Sequence, residues 1–212
     1  MTRQQERRSV AERREQLIDA AISVLAREGI GAATTRRITA EAGLALGAFH
    51  YAFRNKDELL RAVAERLSRG VEGVLESSPA DPTASLTAFG EQIVQAFWGF
   101  VEQTTELQLA QYELTVHALR DPGLKPLAEE QYRRLTAAVD GALEGHPEVP
   151  DGQARHDLAS YLVSVMDGLI LHRVVEGDAD AAVRRLELFV ATLPALADRV
   201  RRQRDGNPVA TG

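Results

Sequence analysis

Apolar residues recur every three or four positions along almost the whole chain, which is the spacing of one face of an α-helix. Residues 10–28 show this spacing first, and residues 56–76 show it again. In the helix predicted to end near Gln103, apolar side chains cover more than one side, which is typical of a central helix. No stretch alternates apolar and polar residues as a strand does. The pattern therefore predicts an all-α fold of about nine helices.

Residues 34–56 predict two very short helices around a glycine turn. Thr34 or Thr35 offers a hydroxyl N-cap for a helix that Gly43 ends in left-handed geometry. Asn55 is a predicted N-cap of the next helix, and Glu58 completes a capping box. The apolar positions fit a helix, a break after Ala42 and a second helix, and they are Ile38, Ala42, Leu44, Phe49 and Phe53. This arrangement predicts a helix-turn-helix in a three-helix N-terminal head, followed by a larger C-terminal helical bundle.

The charge of the chain is divided by position. The net charge is −6, yet residues 1–56 contain ten Lys and Arg against six Asp and Glu, which makes this segment +4 and the remainder −10. A basic head on an acidic body concentrates attraction for DNA phosphates at one end. Ordinary scatter of surface charge is the alternative explanation.

Several spacings within residues 10–60 match a known family together. The matching residues are Thr35, Ile38, Ala42, Gly43, Leu44, Gly47, Phe53, Lys56, Asp57, Glu58, Leu59 and Leu60. At these positions the chain resembles the N-terminal domain of the tetracycline-repressor (TetR) family of transcriptional regulators. Beyond them it resembles that family in length and helical character. Its departures are Ala45 and Leu46 where the family usually has a hydroxyl and then a polar residue, Ala48 in place of a frequent Thr, and His50–Tyr51 in place of Tyr-His.

The predicted DNA contacts fall into two groups. Helix N-termini present unpaired backbone donors to phosphates, so the starts of the second and fourth helices are predicted phosphate clamps. Thr35, Arg36, Arg37 and Lys56 belong to this group, and solvated surface residues are the alternative interpretation for the two arginines. The base-facing group is Ala45, Leu46, Gly47, Ala48, His50 and Tyr51.

The base-facing group is unusually apolar. Ala45, Leu46 and Ala48 cannot form bidentate hydrogen bonds, so we expect contacts to thymine methyl groups and a large share of shape readout. Two readings stay open for His50, a DNA contact or a partly buried residue between helices. Gly47 either allows close approach to DNA or is a packing glycine. The N-terminal arm, residues 1–9, is expected to be disordered when free, and its arginines at positions 3, 7 and 8 could enter the minor groove.

The last two predicted helices, about residues 153–176 and 180–202, carry more apolar surface than one core needs. Two such helices can pair with the same two of a second copy, so we expect a homodimer and a palindromic operator in double-stranded DNA. Completion of a monomeric core is the alternative. We place a helix-turn-helix domain with its basic arm at residues 1–55, a ligand-binding and dimerisation domain at 56–204 and a flexible tail at 205–212.

The body is larger than a DNA head and a dimer interface require, and the family resemblance implies an inducer pocket. Pockets are mostly apolar with a few convergent polar groups, which indicates a largely apolar small-molecule effector. Each residue taken singly is more often core or surface. The candidates are Phe97, Trp98, Gln108, Gln111, Tyr112, His117, Met166 and Asp167, with Glu113, Thr115 and His172 as further polar residues.

Composition and motifs disfavour other classes of protein. The chain has no cysteine, so disulfides, thiolate metal sites and thiol catalysis are excluded. Glu113 and His117 are spaced as metal ligands can be, but no third ligand is suitably spaced, and no nucleophile signature occurs. We therefore expect a cytoplasmic protein that is not an enzyme, has no cofactor and does not enter a membrane. The alternative function is a helical interaction protein with a degenerate DNA-binding head.

Overall fold

The computed structural model describes residues 3–78 and 80–206, of which residues 3–9 and 204–206 are described by backbone only. This part of the chain forms nine α-helices and no strand, which confirms the predicted all-α class. The helices are α1 (Arg3–Glu28), α2 (Thr35–Glu41), α3 (Leu46–Ala52), α4 (Lys56–Glu76), α5 (Leu86–Gln103), α6 (Thr105–Arg120), α7 (Lys125–Leu143), α8 (Gln153–Glu176) and α9 (Ala179–Gly206).

The first and last helices are longer than the apolar pattern predicts. Helix α1 begins at Arg3, so residues 3–9 are helical where a disordered arm was expected. The segment is rich in Arg, Gln and Glu, which favour helix without requiring an apolar face. Helix α9 likewise continues to Gly206, past its predicted end at Arg202. Residues 1, 2 and 207–212 of the predicted arm and tail lie outside the described residues.

Helix α5 is capped by a serine that follows Asp81 and Thr83 in the preceding loop. The Ser85 hydroxyl accepts a hydrogen bond from the Ala88 amide at 3.3 Å, so Ser85 caps the helix. The Asp81 carboxylate instead accepts from the amide and the hydroxyl of Thr83, at 2.8 and 2.7 Å. Asp81 thus closes a turn in the preceding loop, a competing use of the same short side chain.

The described chain forms two compact units. Unit 1 contains residues 3–69 and 104–131, and unit 2 contains residues 70–78, 80–103 and 132–206. Helices α4 and α7 therefore each have residues in both units. These units are defined by packing, so the predicted boundary between the helix-turn-helix domain and the ligand-binding domain, at residues 55 and 56, remains a prediction.

Unit 1 is built around α1, which packs against α2, α3 and α6, while α2 packs against α3. Leu17, Leu25, Ile38, Phe49 and Leu59 are completely or almost completely buried in its core. Of the apolar positions predicted for the two short helices, Ile38, Phe49 and Phe53 are core residues, and Ala42 and Leu44 are half-buried against that core. Helices of seven residues are marginal alone, so α2 and α3 depend on this packing.

Unit 2 is built around α9, which packs against α5 and α8. Its core contains Phe89 and Leu158. The loop between α7 and α8 closes one end of α5, because the Glu148 carboxylate accepts from the Leu86 amide at 2.9 Å. His146 in the same loop is buried and stacks on Phe89 at 4.7 Å between ring centroids.

Candidate DNA interface and effector residues

Helix α2 begins and ends as its sequence predicts. The Thr34 hydroxyl accepts a hydrogen bond from the Arg37 amide at 3.1 Å, so Thr34 is the N-cap and Thr35 is the first helical residue. Gly43, with φ at +65°, ends the helix in the left-handed conformation that glycine adopts readily. This turn leads into α3, the predicted recognition helix.

Helix α3 starts without a side-chain cap. Ala45 has the extended backbone of an N-cap residue, but a methyl group cannot accept the hydrogen bond that serine or threonine would. Leu46 and Tyr51 are exposed over 43% and 75% of their surface, so their apolar parts face solvent. Ala48 was predicted on the same outer face, but it is half-buried and therefore less exposed than expected.

The structure distinguishes between the alternatives for two α3 residues. His50 is exposed, so the interpretation as a partly buried residue between helices is wrong. Its ring lies 5.5 Å from that of Phe49 between centroids, in an edge-to-face arrangement. A Cβ built on Gly47 meets no atom within 4 Å. Gly47 is therefore not required for packing within the described part of the chain.

The C-terminal end of α3 is held by Arg14 of α1. Its guanidinium donates to the Ala52 carbonyl at 2.9 Å and lies 4.1 Å from the centroid of the Phe53 ring. A cation at a helix C-terminus satisfies an unpaired carbonyl and interacts favourably with the helix dipole. Sequence reasoning missed this role, because Arg14 and Ala52 are 38 positions apart and nothing in the local pattern links them.

Helix α4 begins with the predicted N-cap, but the Glu58 side chain bonds to other residues than the predicted capping box requires. The Asn55 side chain accepts from the Glu58 amide at 2.9 Å, so Asn55 is the N-cap. The Glu58 carboxylate accepts from the backbone amide and the guanidinium of Arg54, at 3.0 and 3.1 Å, and from Arg14 at 3.2 Å. These donors, first the Arg54 amide, lower the pKa of Glu58 to about 2. The carboxylate thus joins α1, the α3–α4 turn and α4.

The two predicted phosphate-binding arginines of α2 differ. Arg37 donates to Glu28 of α1 with contacts of 2.6 to 3.1 Å and to Glu41 at 2.9 Å. The hydrogen bond from Arg37 is the main reason why the pKa values of both carboxylates are lowered. Arg36 is exposed and Lys56 half-buried, and in the described part of the chain neither pairs with an acidic side chain. Arg37 therefore joins α1 to α2, while Arg36 and Lys56 have cationic groups available for phosphate.

The predicted effector residues fall in both units. Trp98 is buried in unit 2, where Phe97, Met166 and Asp167 are half-buried. In unit 1 Gln108 is buried and its amide donates to the Thr104 hydroxyl at 3.0 Å, while Gln111, Tyr112 and His117 are half-buried. Four of the eight residues thus belong to each unit.

Two hydrogen-bonded polar pairs lie in unit 2. The Tyr132 hydroxyl donates to the Asp167 carboxylate at 2.7 Å, and burial followed by this hydrogen bond raises the pKa of Tyr132. Arg173 donates to Glu102 with two bonds of 2.7 and 2.8 Å, and this pairing lowers the pKa of Glu102. The Trp98 side chain also hydrogen-bonds to Glu102. Tyr132 was not predicted, since no motif distinguishes it from other helical tyrosines.

An open cleft between α7 and α8 is a separate feature of unit 2. None of the predicted effector residues lines it. Its lining consists of Tyr132, Arg133, Thr136, His156, Ser160, Val163 and Ser164.

A three-helix head with an exposed, glycine-containing second short helix defines the class of helix-turn-helix DNA-binding proteins. Comparison with known proteins also supports the class of helix-turn-helix DNA-binding proteins. Residues 17–63 match the family described as bacterial regulatory proteins, tetR family. Residues 84–195, more than half of the chain, match the family described as tetracyclin repressor-like, C-terminal domain.

Individual relatives match over most of their length. The HTH-type nicotine-responsive transcriptional repressor HdnoR of Paenarthrobacter nicotinovorans is 32% identical over 77% of this chain and 84% of its own. The HTH-type transcriptional regulator BetI of Cronobacter sakazakii is 30% identical over 78% of this chain and 81% of its own. Among solved structures, the multidrug binding protein EbrR complexed with ethidium is 31% identical, with a TM-score of 0.63, over 82% of this chain and 96% of that one.

The chain belongs to the TetR family of transcriptional regulators. It is accordingly a ligand-responsive DNA-binding regulator. Helix α8 is long and apolar enough to cross a membrane by length and composition, a test that core helices of soluble proteins also pass. It packs against α9 in unit 2. Proteins of this family are soluble DNA-binding proteins.

Proposed function

We propose that this protein is a repressor that binds a palindromic operator as a homodimer and is released by a largely apolar small molecule. The observation that carries the DNA-binding part is the outer face of α3. Leu46, Gly47, His50 and Tyr51 are all exposed there, while Phe49 on the opposite face is completely buried. A helix with this division presents one surface to a major groove while the other is fixed by the core.

We assign phosphate contacts to the two helix starts and base contacts to α3. Thr35 and Lys56 stand at the first residues of α2 and α4, where backbone donors are unpaired, and Arg36 adds a cation. Arg37 supports α2 through Glu28 and Glu41 in this scheme. Leu46, together with Ala45 and Ala48, contacts thymine methyl groups.

These roles are tested by comparing the affinities of protein variants for duplexes of different sequence. Thr35→Ala and Lys56→Ala should weaken binding to every duplex similarly, because phosphates carry no sequence information. Leu46→Ala should instead change the preference between duplexes. A mobility shift against the DNA upstream of the gene and against an unrelated duplex measures both. Parallel behaviour of all three variants would show that the division of roles is wrong.

The homodimer is supported by the exposed apolar residues of α8 and α9. Val175 and Leu188 are exposed over 76% and 70% of their surface, and Tyr161, Leu171 and Val183 over about half. Large exposed apolar side chains on two neighbouring helices mark an interaction surface. In a dimer the recognition helices read half-sites about one DNA turn, roughly 34 Å, or a multiple of it apart. Sedimentation should give twice the mass of the chain, and Leu188→Arg should give monomers; a monomeric wild type would exclude this model.

The effector proposal is supported by the aromatic and polar residues of unit 2. Trp98, Phe97, Met166 and Asp167 combine apolar surface with a carboxylate, and the polar pairs Tyr132–Asp167 and Arg173–Glu102 lie in the same unit. Gln108, Gln111, Tyr112 and His117 of unit 1 stay proposed contacts. HdnoR is named for nicotine and EbrR was solved with ethidium, both of which are aromatic molecules.

Intrinsic fluorescence tests this site, because Trp98 is the single tryptophan of the chain. Saturable quenching by nicotine or ethidium at low concentration is expected, and release of operator DNA should follow the same nicotine concentrations. Reciprocity requires that operator DNA weakens nicotine binding by the same factor. Quenching without any change in DNA affinity would remove the inducer role.

The second candidate function is a helical interaction protein with a degenerate head. The apolar recognition face, formed by Ala45, Leu46 and Ala48, favours it, because these side chains cannot hydrogen-bond to base edges. Failure to shift any duplex at low salt without added ligand would support this candidate. We further propose that the protein acts in the cytoplasm, where its DNA would be.

A further inference from the structure

Helix α6 reaches the turn between α1 and α2 through one carboxylate. Glu113 accepts a hydrogen bond from the Ile30 amide at 2.7 Å, across 83 positions of sequence and within unit 1. The same carboxylate lies against Gly29, where a Cβ would stand 2.9 Å from Oε2 and 3.3 Å from Oε1. Glycine is favoured at position 29 by its φ of +78°, and a Cβ there would displace the Glu113 carboxylate.

This turn sets where the two short helices begin. At the end of α1 the Gly29 amide donates to the Leu25 carbonyl at 3.0 Å, and the Gly29 carbonyl accepts from the Ala32 amide at 3.2 Å. The Thr34 amide then bonds to the Ala32 carbonyl at 2.7 Å, immediately before Thr34 caps α2. A hydrogen-bonded chain therefore runs from the end of α1 to the cap of α2, which packs against α3.

Helix α6 also contacts the core of unit 1 through apolar side chains. Ala110, Leu114 and Ala118 are buried in that core at four-residue intervals. Apolar contacts are non-directional, so they fix the distance between α6 and α1 more firmly than the position of α6 along its axis. The charge-assisted hydrogen bond that the Ile30 amide donates to the Glu113 carboxylate also fixes the position of α6 along its axis.

We propose that Glu113 is a positioning residue for operator binding. Its carboxylate holds the α1–α2 turn in register with α6, so that α2 and α3 present their DNA-facing residues in the geometry that the operator requires. The inference rests on the proposed DNA-binding function. Tyr112 and His117, two proposed effector contacts, lie on the same helix, so a displacement of α6 would reach the turn through Glu113.

Three variants isolate this contact. Glu113→Ala removes the acceptor. Glu113→Gln keeps an oxygen for the Ile30 amide and should restore most of the effect. Glu106→Ala is the matched control, because Glu106 is an exposed glutamate on the same helix and its loss changes the net charge equally.

The first readout is hydrogen exchange at the Ile30 amide, which needs no DNA. We expect faster exchange at Ile30 in Glu113→Ala and wild-type protection in Glu113→Gln and Glu106→Ala. Protection at core amides of α1, such as that of Leu25, should change much less. Unchanged exchange at Ile30 in Glu113→Ala would overturn the proposal, because the amide would then be held by other means.

The second readout is affinity for duplex DNA from upstream of the gene and for an unrelated duplex of equal length. For Glu113→Ala we expect Kd for the upstream duplex to rise about tenfold, within the usual range for coupling between sites. Kd for the unrelated duplex should stay close to that of Glu106→Ala. A purely stabilising role would lower the melting temperature while the folded fraction bound the upstream duplex normally, and this result would overturn the proposal.

Gly29→Ala perturbs the same contact by changing the turn instead of Glu113. A methyl group there displaces the Glu113 carboxylate and also strains the backbone at positive φ. If Glu113 acts through this turn, the effects of Gly29→Ala and Glu113→Ala on Kd should be clearly less than additive. Full additivity would count against the proposal. If the wild type itself binds neither duplex, the proposed function fails, and hydrogen exchange at Ile30 alone then decides whether Glu113 positions the turn.

Discussion

Substituting Gly47 by alanine should stabilise the protein and at the same time weaken operator binding. Gly47 is exposed in α3, and a Cβ at this position meets no atom within 4 Å, so the added methyl group has room in the free protein. Alanine is favoured over glycine in a helix by about 0.5 to 1 kcal/mol. For a chain of this length, such a gain corresponds to a rise of roughly 2 °C in melting temperature.

The same methyl group should be harmful in the complex. If α3 presses against DNA at Gly47, the methyl group must displace a base edge or the backbone, and overpacking of a close interface costs about 1 to 3 kcal/mol. Since about 1.4 kcal/mol is tenfold in Kd, we expect operator affinity to fall about tenfold or more. Stability and affinity therefore move in opposite directions.

Gly73→Ala is the matched control. Gly73 is also exposed, lies inside α4 and has open space at its Cβ, but it belongs to unit 2 rather than to the head. This variant should gain stability without any change in operator affinity. Thermal unfolding and fluorescence anisotropy with labelled upstream duplex measure the two quantities. Unchanged or improved affinity of Gly47→Ala would refute the reasoning that α3 approaches DNA at this residue.

Three further substitutions have defined expectations. Ala45→Ser should stabilise the protein by about 1 kcal/mol in urea unfolding, because the residue already has N-cap backbone geometry and lacks only an acceptor; a loss of stability would contradict this. Gly90→Ala should destabilise by about 1 to 3 kcal/mol in the same assay, because its Cβ would overlap Leu193 Cδ1 in the core of unit 2; a neutral result would mean that Leu193 can move aside. Glu58→Gln should lower the melting temperature at neutral pH. The folded pKa of about 2 lies below the ordinary 4.5, so the contribution of the carboxylate is present above pH 4.5 and is lost as the pH falls toward 2. The difference from wild type should vanish over that range, and a difference independent of pH would exclude the charge as its cause.

The helix-turn-helix was predictable because its signals are local. Capping by Thr34 and Asn55 and the turn at Gly43 each depend on residues a few positions apart. The apolar spacing that buries Phe49 is likewise a property of one helix. By contrast, the extension of α1 to Arg3 was missed, because that segment shows no apolar spacing and depends on intrinsic helix propensity.

The sequence by itself thus determined the all-α class, the position of the reading head, its basic charge and the apolar character of its outer surface. Only the tertiary structure decided what individual polar side chains do. Arg37, predicted to reach phosphate, pairs with Glu28 across two helices, and Arg14 closes the end of α3. Glu113, a candidate pocket residue, accepts a hydrogen bond from the Ile30 amide. The physical reason is that caps, turns and helical faces follow from neighbours in sequence, whereas a long charged side chain bonds to whichever partner the folded chain brings within about 3 Å.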